Sequence, residues 1–141
     1  MTDSIYMPTV ISARKHEKIV KGHKRYEKGL EFETRVADYF SAKGFTIKSR
    51  KRVKIGEIDL VLTKSGGFWG ENRIAMVECK HKELIPLGDF VSFVEKFRRF
   101  DASRGKTSAV FAYRGKLDPR INTYHQTMEE KWRNAITLKK L

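Results

Sequence analysis

The chain has 141 residues, with 30 Lys and Arg against 17 Asp and Glu, which gives a formal net charge of +13 at pH 7. This length fits one domain, and a hydrophobic content of 40% excludes a disordered basic tail. A charge surplus of this size predicts a polyanionic partner, and nucleic acid is the natural one.

Two further classes are excluded by pattern. The chain has no run of about 18 apolar residues and no apolar stretch near its start, so neither a membrane span nor export is expected. Cys79 is the single cysteine, which excludes an internal disulfide framework, and no Cys/His set has zinc-finger spacing. We therefore expect a cytoplasmic, intracellular protein without a membrane partner.

The first part of the chain is strongly basic. Seven Lys or Arg lie between Arg14 and Lys28. We interpret residues 1–28 as a basic N-terminal arm, partly helical, and residues 29–141 as a single folded domain. A solvated, frayed terminus would have the same composition.

The first element of the domain is a predicted helix from Gly29 to Lys43, ended by Gly44. Its apolar residues fall on one side at helical spacing. Glu33 lies inside that apolar stripe, and a carboxylate on a core-facing stripe needs a partner.

Three strands are predicted next, at Phe45–Val53, Ile58–Leu62 and Ile74–Lys80. The second is an apolar run interrupted only by Asp59, which is typical of a strand covered on both faces. A glycine-rich turn with Phe68-Trp69 at its tip separates the last two strands, so we expect them to pair as a hairpin.

A helix from Phe90 to Phe100 follows, with Asp89 as its expected N-cap and a broad apolar stripe. Thr107–Tyr113 is predicted to be a central strand. Because a full helix separates this strand from the one ending at Lys80, the two can run parallel through a crossover.

Asp118 and Pro119 provide a cap and a first-turn proline for a last helix that reaches about Trp132. Ala135–Leu138 can add an edge strand. The predicted fold class is α/β, a mixed central sheet flanked by helices.

Three charged residues stand where the strand pattern calls for apolar ones: Asp59, Glu78 and Lys80. Residues two apart in a strand share a face and lie about 6 to 7 Å apart, so Glu78 and Lys80 project together. If the neighbouring strand places Asp59 beside them, two carboxylates and an ammonium meet at one end of the sheet. Such a group suits a hard cation such as Mg²⁺, with the Cys79 carbonyl and Glu33 as further oxygen ligands.

These residues carry a family resemblance. The segments Gly29-Leu30-Glu31-Phe32-Glu33, Gly56-Glu57-Ile58-Asp59-Leu60 and Val77-Glu78-Cys79-Lys80 resemble the PD-(D/E)XK nuclease superfamily. The similarity is to its archaeal Holliday-junction resolvase and Mrr-like endonuclease branches, and it spans roughly residues 29–113. Ile58 stands where the superfamily name has proline, a position that varies among relatives.

The resemblance implies a restriction-endonuclease-like αβββαβ core. It assigns catalytic roles to Glu33, Asp59, Glu78 and Lys80. It also implies an Mg²⁺-dependent DNA endonuclease in which Mn²⁺ can substitute, acting as a homodimer. Because no helix-turn-helix, zinc finger or other base-reading module is recognisable in the sequence, we expect it to select branched or junction DNA by structure. A basic nucleic-acid-binding module without catalysis, on the same fold, is the alternative.

Two groups of cations are expected to contact DNA phosphates without reading sequence. The first group, in and just after the first strand, is Lys48, Arg50, Lys51, Arg52 and Lys54; the second, in and after the long helix, is Arg98, Arg99 and Arg104. The Phe68-Trp69 tip could stack on an unpaired base or fold back onto its own sheet. His81 is interpreted as a solvated or phosphate-facing residue, with general-base catalysis as the alternative.

Overall fold

The computed structural model describes the backbone of residues 13–53, 56–66 and 72–141, and the side chains of residues 27–48, 57–66 and 72–141. Within these ranges, the elements in chain order are α1 (Ala13–Ala42), β1 (Thr46–Val53), β2 (Gly56–Lys64), β3 (Arg73–Ile85), α2 (Leu87–Arg104), β4 (Ser108–Leu117), α3 (Pro119–Thr127), α4 (Glu130–Ala135) and β5 (Ile136–Lys140). The order contains the predicted αβββαβ core, followed by two short helices and the predicted edge strand.

The five strands form one mixed sheet in the order β1-β2-β3-β4-β5. The pairs β1–β2 and β2–β3 are antiparallel, whereas β3–β4 and β4–β5 are parallel. The α2 helix makes the crossover between β3 and β4, as parallel neighbours require. The α/β fold class, the antiparallel pairing of β2 with β3 and the parallel crossover are therefore confirmed.

Apolar side chains are buried on both faces of this sheet. On one face α1 packs Phe32 and Val36 against Leu60 of β2. On the other face α2 contributes four fully buried phenylalanines, at 90, 93, 97 and 100, each of which contributes roughly 1.5–3 kcal/mol by burial. Burial from both sides explains why β2 is almost continuously apolar. None of the helices in the described ranges is long and apolar enough to cross a membrane.

The first helix is longer than predicted. It begins at Ala13, so the basic segment before Gly29 continues the helix of the domain. The apolar periodicity that marks the helix to its C-terminal side is missing from this segment. Lys, Arg and Glu are nevertheless good helix formers, because their unbranched side chains lose little rotamer freedom in a helix.

The predicted N-cap of α2 is wrong. The helix begins at Leu87 with Pro86 as its N-cap, and the cap has no side-chain hydrogen bond. Asp89 therefore lies in the first turn, where its negative charge still favours the helix N-terminus. Its carboxylate accepts a hydrogen bond from Lys82 Nζ at 2.6 Å.

The last predicted helix is two helices. Asp118 caps α3 as predicted, by accepting a hydrogen bond from the backbone N of Arg120, but α3 ends at Thr127. Tertiary contacts across the break override local propensity: His125 Nε2 lies 3.0 Å from the carbonyl oxygen of Ile136, and the Trp132 ring packs edge-on against Phe97.

Both parallel central strands run further than predicted, β3 to Ile85 and β4 to Leu117. Their register shifts between His81 and Leu84, which marks a bulge in β3. Gly115 of β4 has φ +126 and lies so close to the backbone carbonyl of Lys82 that a Cβ there would overlap it. Glycine is required at this position, and it allows β4 to follow the bulge.

Candidate active site

Asp59 lies on β2 beside Glu78 of β3. The register pairs Leu60 with Val77, and the next position along both strands is Asp59 and Glu78. Asp59 Oδ2 accepts a hydrogen bond from the backbone N of Cys79 at 2.9 Å. This bond attaches the carboxylate of one strand to the backbone of the other, so the two acidic positions are held together.

Glu78 is a charged residue in the core, only 7% exposed. Its Oε1 accepts a hydrogen bond from Lys96 Nζ of α2 at 3.1 Å, and the same ammonium donates to the backbone carbonyl of Glu57 at 2.9 Å. Lys96 therefore bridges β2 and β3 from the helix side. A buried carboxylate needs such a partner, because an unpaired charge in the core is strongly unfavourable.

Sequence reasoning missed Lys96, although a weak signal was present. At about 100° per residue, Lys96 lies on the edge of the α2 apolar stripe, next to Phe100. A lysine at the edge of a buried stripe can extend its ammonium along the sheet surface.

Cys79 lies among three of the predicted acidic residues. Its side chain is partly buried and packs against the apolar cluster under α1. Burial raises the pKa of the Cys79 thiol, and the charges of Asp59, Glu33 and Glu78 raise it further. The thiol is therefore neutral, and the three carboxylates are near enough to act on one atom.

Lys80 reaches toward the start of α2. Its Nζ lies 4.0 Å from Asp89 Oδ2, the oxygen that also binds Lys82. Both lysine side chains stay partly exposed. An ammonium on the same strand as Glu78 is thus partly open to solvent, with Asp89 beside it.

The donor set is that of a hard divalent cation. Mg²⁺ takes one or two carboxylates and completes its shell with neutral oxygens and water. Asp59, Glu78 and the Cys79 carbonyl supply such oxygens, and the concentration of carboxylates that acts on the thiol favours a cation. Across the described residues, no cluster of three or more His, Cys, Asp and Glu side chains forms a metal site by itself. Two carboxylates with backbone oxygen and water fit Mg²⁺ without such a cluster.

The predicted DNA-binding cations of β1 run along the strand next to Asp59. The register places Lys51 opposite Ile58 and Arg52 opposite Glu57, and the Lys48 side chain is exposed. The side chains of Arg50, Lys51 and Arg52, and all of Lys54, Phe68 and Trp69, lie outside the described residues.

The second predicted group lies along the outer surface and C-terminal end of α2. Arg98, Arg99 and Arg104 are all exposed. The guanidinium of Arg98 lies 5.4 Å from the centre of the Trp132 ring, and that of Arg104 lies 4.3 Å from the Phe100 ring. Stacking on these rings fixes two of the three charges on the surface.

Residues 25–127 match the family model Mrr_cat, which describes a restriction endonuclease. The chain belongs to this family. All three segments that resemble the PD-(D/E)XK superfamily lie inside the matched range, and the Mrr_cat match confirms that assignment. The chain thus contains a restriction-endonuclease domain.

Solved structures show the same fold. The chain resembles the crystal structure of a protein of unknown function, AF1548, with a TM-score of 0.60 and 20% identity over 77% of this chain and 55% of that one. It therefore spans about half the length of that protein. No curated protein matches the chain.

Two further structures are more distant. A repair endonuclease from Pyrococcus abyssi has a TM-score of 0.47 and 13% identity over 69% of this Mrr_cat chain and 38% of that protein. The EndoMS-dsDNA2 complex has a TM-score of 0.44 and 16% identity, over 69% of this chain and 36% of that one.

Proposed function

We propose that this Mrr_cat domain is a divalent-metal-dependent endonuclease that hydrolyses phosphodiester bonds in DNA. The observation that carries the proposal is the placement of Asp59 beside Glu78 on adjacent central strands, with Asp59 bound to the Cys79 N–H, in a chain whose net charge is +13. A basic protein that only bound DNA would gain nothing from carboxylates on these inner strands, because they repel phosphate. Carboxylates there are useful if they hold a cation between the protein and the phosphate.

Each residue has a proposed role. Asp59 and Glu78 hold the metal, with the Cys79 carbonyl and Glu33 completing the site directly or through water. A bound divalent cation would polarise the phosphoryl oxygens and acidify a water molecule.

The remaining roles belong to protein groups alone. The Cys79 N–H orients the Asp59 carboxylate. The Lys80 ammonium stabilises the negative charge that builds on the phosphate during attack.

The proposal extends to substrate and assembly. No helix-turn-helix or zinc-finger pattern is found in the sequence, so we propose that the enzyme selects DNA by structure, with branched or junction DNA preferred. A symmetrical branched substrate has two strands to cut, and we propose a homodimer that provides two active sites. Light scattering on a sizing column measures the assembly, and a monomeric mass with and without DNA would contradict it.

The test of activity is cleavage of labelled linear and branched DNA with Mg²⁺, with Mn²⁺ and with EDTA. We expect cleavage with either metal and none with EDTA. Glu78→Gln and Lys80→Met should each lower the rate by at least about 100-fold. Glu95→Gln, which removes an exposed carboxylate from α2, should cut like wild type. Absence of metal-dependent cleavage, or equal cleavage by all variants, would contradict the proposal.

One observation favours the alternative, a binding module without catalysis. Lys96 forms an ion pair with Glu78, and in a protein without catalysis this ammonium would neutralise Glu78 in place of a metal ion. That function requires salt-sensitive DNA binding that is unchanged by EDTA and by Asp59→Asn, with no cleavage under any metal. The same cleavage assay, run beside a binding assay, separates the two functions.

A further inference from the structure

A small cationic pocket lies between α1 and the sheet, beside the candidate catalytic residues. We call it the His81 pocket, and its lining residues are Lys28, Glu31, Phe32, Arg35, His81 and Arg114. Three side chains that are positive at neutral pH thus face one carboxylate. The pocket volume of about 60 Å³ is far below the roughly 300 Å³ or more of small-molecule sites, so it admits a group of only a few atoms.

The fold builds this pocket from two rigid elements. Lys28, Phe32 and Arg35 are spaced to share one face of α1. His81 and Arg114 are register partners in the parallel pair β3–β4, directly before the bulge. The charges therefore come from a helix and two paired strands and do not depend on a loop.

His81 has an unused polar atom inside the pocket. Its Nδ1 is buried and has no hydrogen-bond partner in the described structure. The ring packs against Phe32 with 5.4 Å between ring centres, so it is held in place. Burial and the nearby charge of Lys28 lower the pKa of His81, and Arg35 acts in the same direction, which shows how near these cations lie to the ring.

We propose that the His81 pocket binds one backbone phosphate of DNA. The pocket lies near the candidate site on the α1 side of the sheet, since Phe32 precedes Glu33 on α1 and His81 shares a face of β3 with Cys79. Successive phosphates of a strand are closely spaced, so a strand with one phosphate at the carboxylates brings a neighbouring phosphate to the pocket. A phosphate oxygen would be a further counter-ion for the pocket cations, and it would accept a hydrogen bond from His81 Nδ1 when that nitrogen carries the proton. The identity of the substrate rests on the proposed function.

The test is DNA binding without cleavage. Anisotropy of a labelled linear duplex is measured in EDTA over a series of salt concentrations, for wild type, Arg35→Gln and Arg114→Gln. Each variant should bind about ten-fold more weakly at low salt and reduce the slope of log K against log[salt] by about 0.9. The matched control is Arg73→Gln, which removes an exposed arginine charge at the start of β3 and should change both quantities less.

His81→Phe is a second, independent variant. It keeps an aromatic ring against Phe32 but removes both ring nitrogens, so it should weaken DNA binding, and a thermal-unfolding curve measured beside it checks that the fold is kept. Unchanged binding by this variant would exclude the ring from the phosphate site.

The remaining outcomes separate the two proposals. If Arg35→Gln and Arg114→Gln bind no more weakly than Arg73→Gln, the pocket is part of a general positive surface and this inference is overturned, even if Mg²⁺-dependent cleavage is found. If no metal supports cleavage but the pocket variants alone lose binding, the proposed catalytic function fails and the phosphate pocket stands.

Discussion

Replacing Lys96 by Met removes the ammonium that binds Glu78 but keeps a long apolar side chain against α2 and the sheet. Glu78 is then a buried carboxylate without its cation, and the Glu57 carbonyl loses its donor. We expect a folded protein of lower stability, because nothing in the substitution restores either hydrogen bond.

The magnitude follows from how deeply this pair is buried. Breaking a fully buried ion pair costs about 3–5 kcal/mol, whereas an exposed pair is worth about 0–1 kcal/mol. The Glu78 side chain is 9% exposed and that of Lys96 is 24% exposed, which places the pair between these limits. We predict a loss of about 2 kcal/mol in the free energy of unfolding.

The assay is urea unfolding at neutral pH in EDTA, with Lys116→Met as the matched control, since Lys116 is exposed on β4. The double variant Glu78→Gln with Lys96→Met removes both charges and should recover most of the loss. Measured together with the single variant Glu78→Gln, it gives a coupling energy of about 1–2 kcal/mol. Excess Mg²⁺ should reduce the loss in Lys96→Met, because a bound cation can replace the ammonium as the counter-ion of Glu78. Equal stability of Lys96→Met and Lys116→Met in EDTA would refute the reasoning.

Three other changes test the fold and its charges. Gly115→Ala should lower the free energy of unfolding by about 3 kcal/mol, because its Cβ would overlap the Lys82 carbonyl and its φ is positive. The control Gly88→Ala, where a Cβ contacts no other atom, should be nearly neutral in the same urea titration. The raised pKa of the Cys79 thiol keeps it protonated. It should therefore react with a disulfide reagent at pH 8 far more slowly in the native protein than in guanidinium. Equal rates would contradict the burial of this thiol. Hydrogen bonds from Arg120 lower the pKa of Asp118 to about 2. The difference in unfolding free energy between wild type and Asp118→Ala should therefore be constant above about pH 4 and shrink as the pH falls toward 2. A difference that grows as the pH falls would contradict this pKa shift.

The sheet and its acidic positions could be predicted because their signals are local. Strand residues alternate between faces, so a charge such as Asp59 or Glu78 in an apolar run is visible without knowledge of the fold. Glu33 is visible in the same way on a helical stripe, and it is partly buried as that position requires. Charged residues of a functional site often occupy positions where the burial pattern calls for apolar residues, and such positions can be recognised in the sequence.

The partners of these residues could not be predicted, because they depend on contacts between distant segments. Lys96 meets Glu78 only after α2 has packed on the sheet, and no spacing rule relates the two positions. Asp89 has the character of an N-cap, but Pro86 starts the helix earlier and leaves Asp89 to bind lysines of β3.

The break between α3 and α4 has the same origin. Nothing in the local sequence stops the helix, and the packing of Trp132 and the carbonyl contacts of His125 decide where it ends. Tertiary structure thus overrides helix propensity at one end of the chain, while at the other end helix propensity extends α1 through a segment with no apolar stripe.

The most direct test of the central claim is metal binding itself, measured by Mn²⁺ electron paramagnetic resonance on wild type, Asp59→Asn, Glu78→Gln and the exposed control Glu95→Gln. If Asp59 and Glu78 are the ligands, wild type and the control bind Mn²⁺ with equal affinity, and both ligand variants lose it by about 100-fold or more while keeping their circular dichroism spectra. Mn²⁺ binding by folded Asp59→Asn and Glu78→Gln with wild-type affinity would contradict the account.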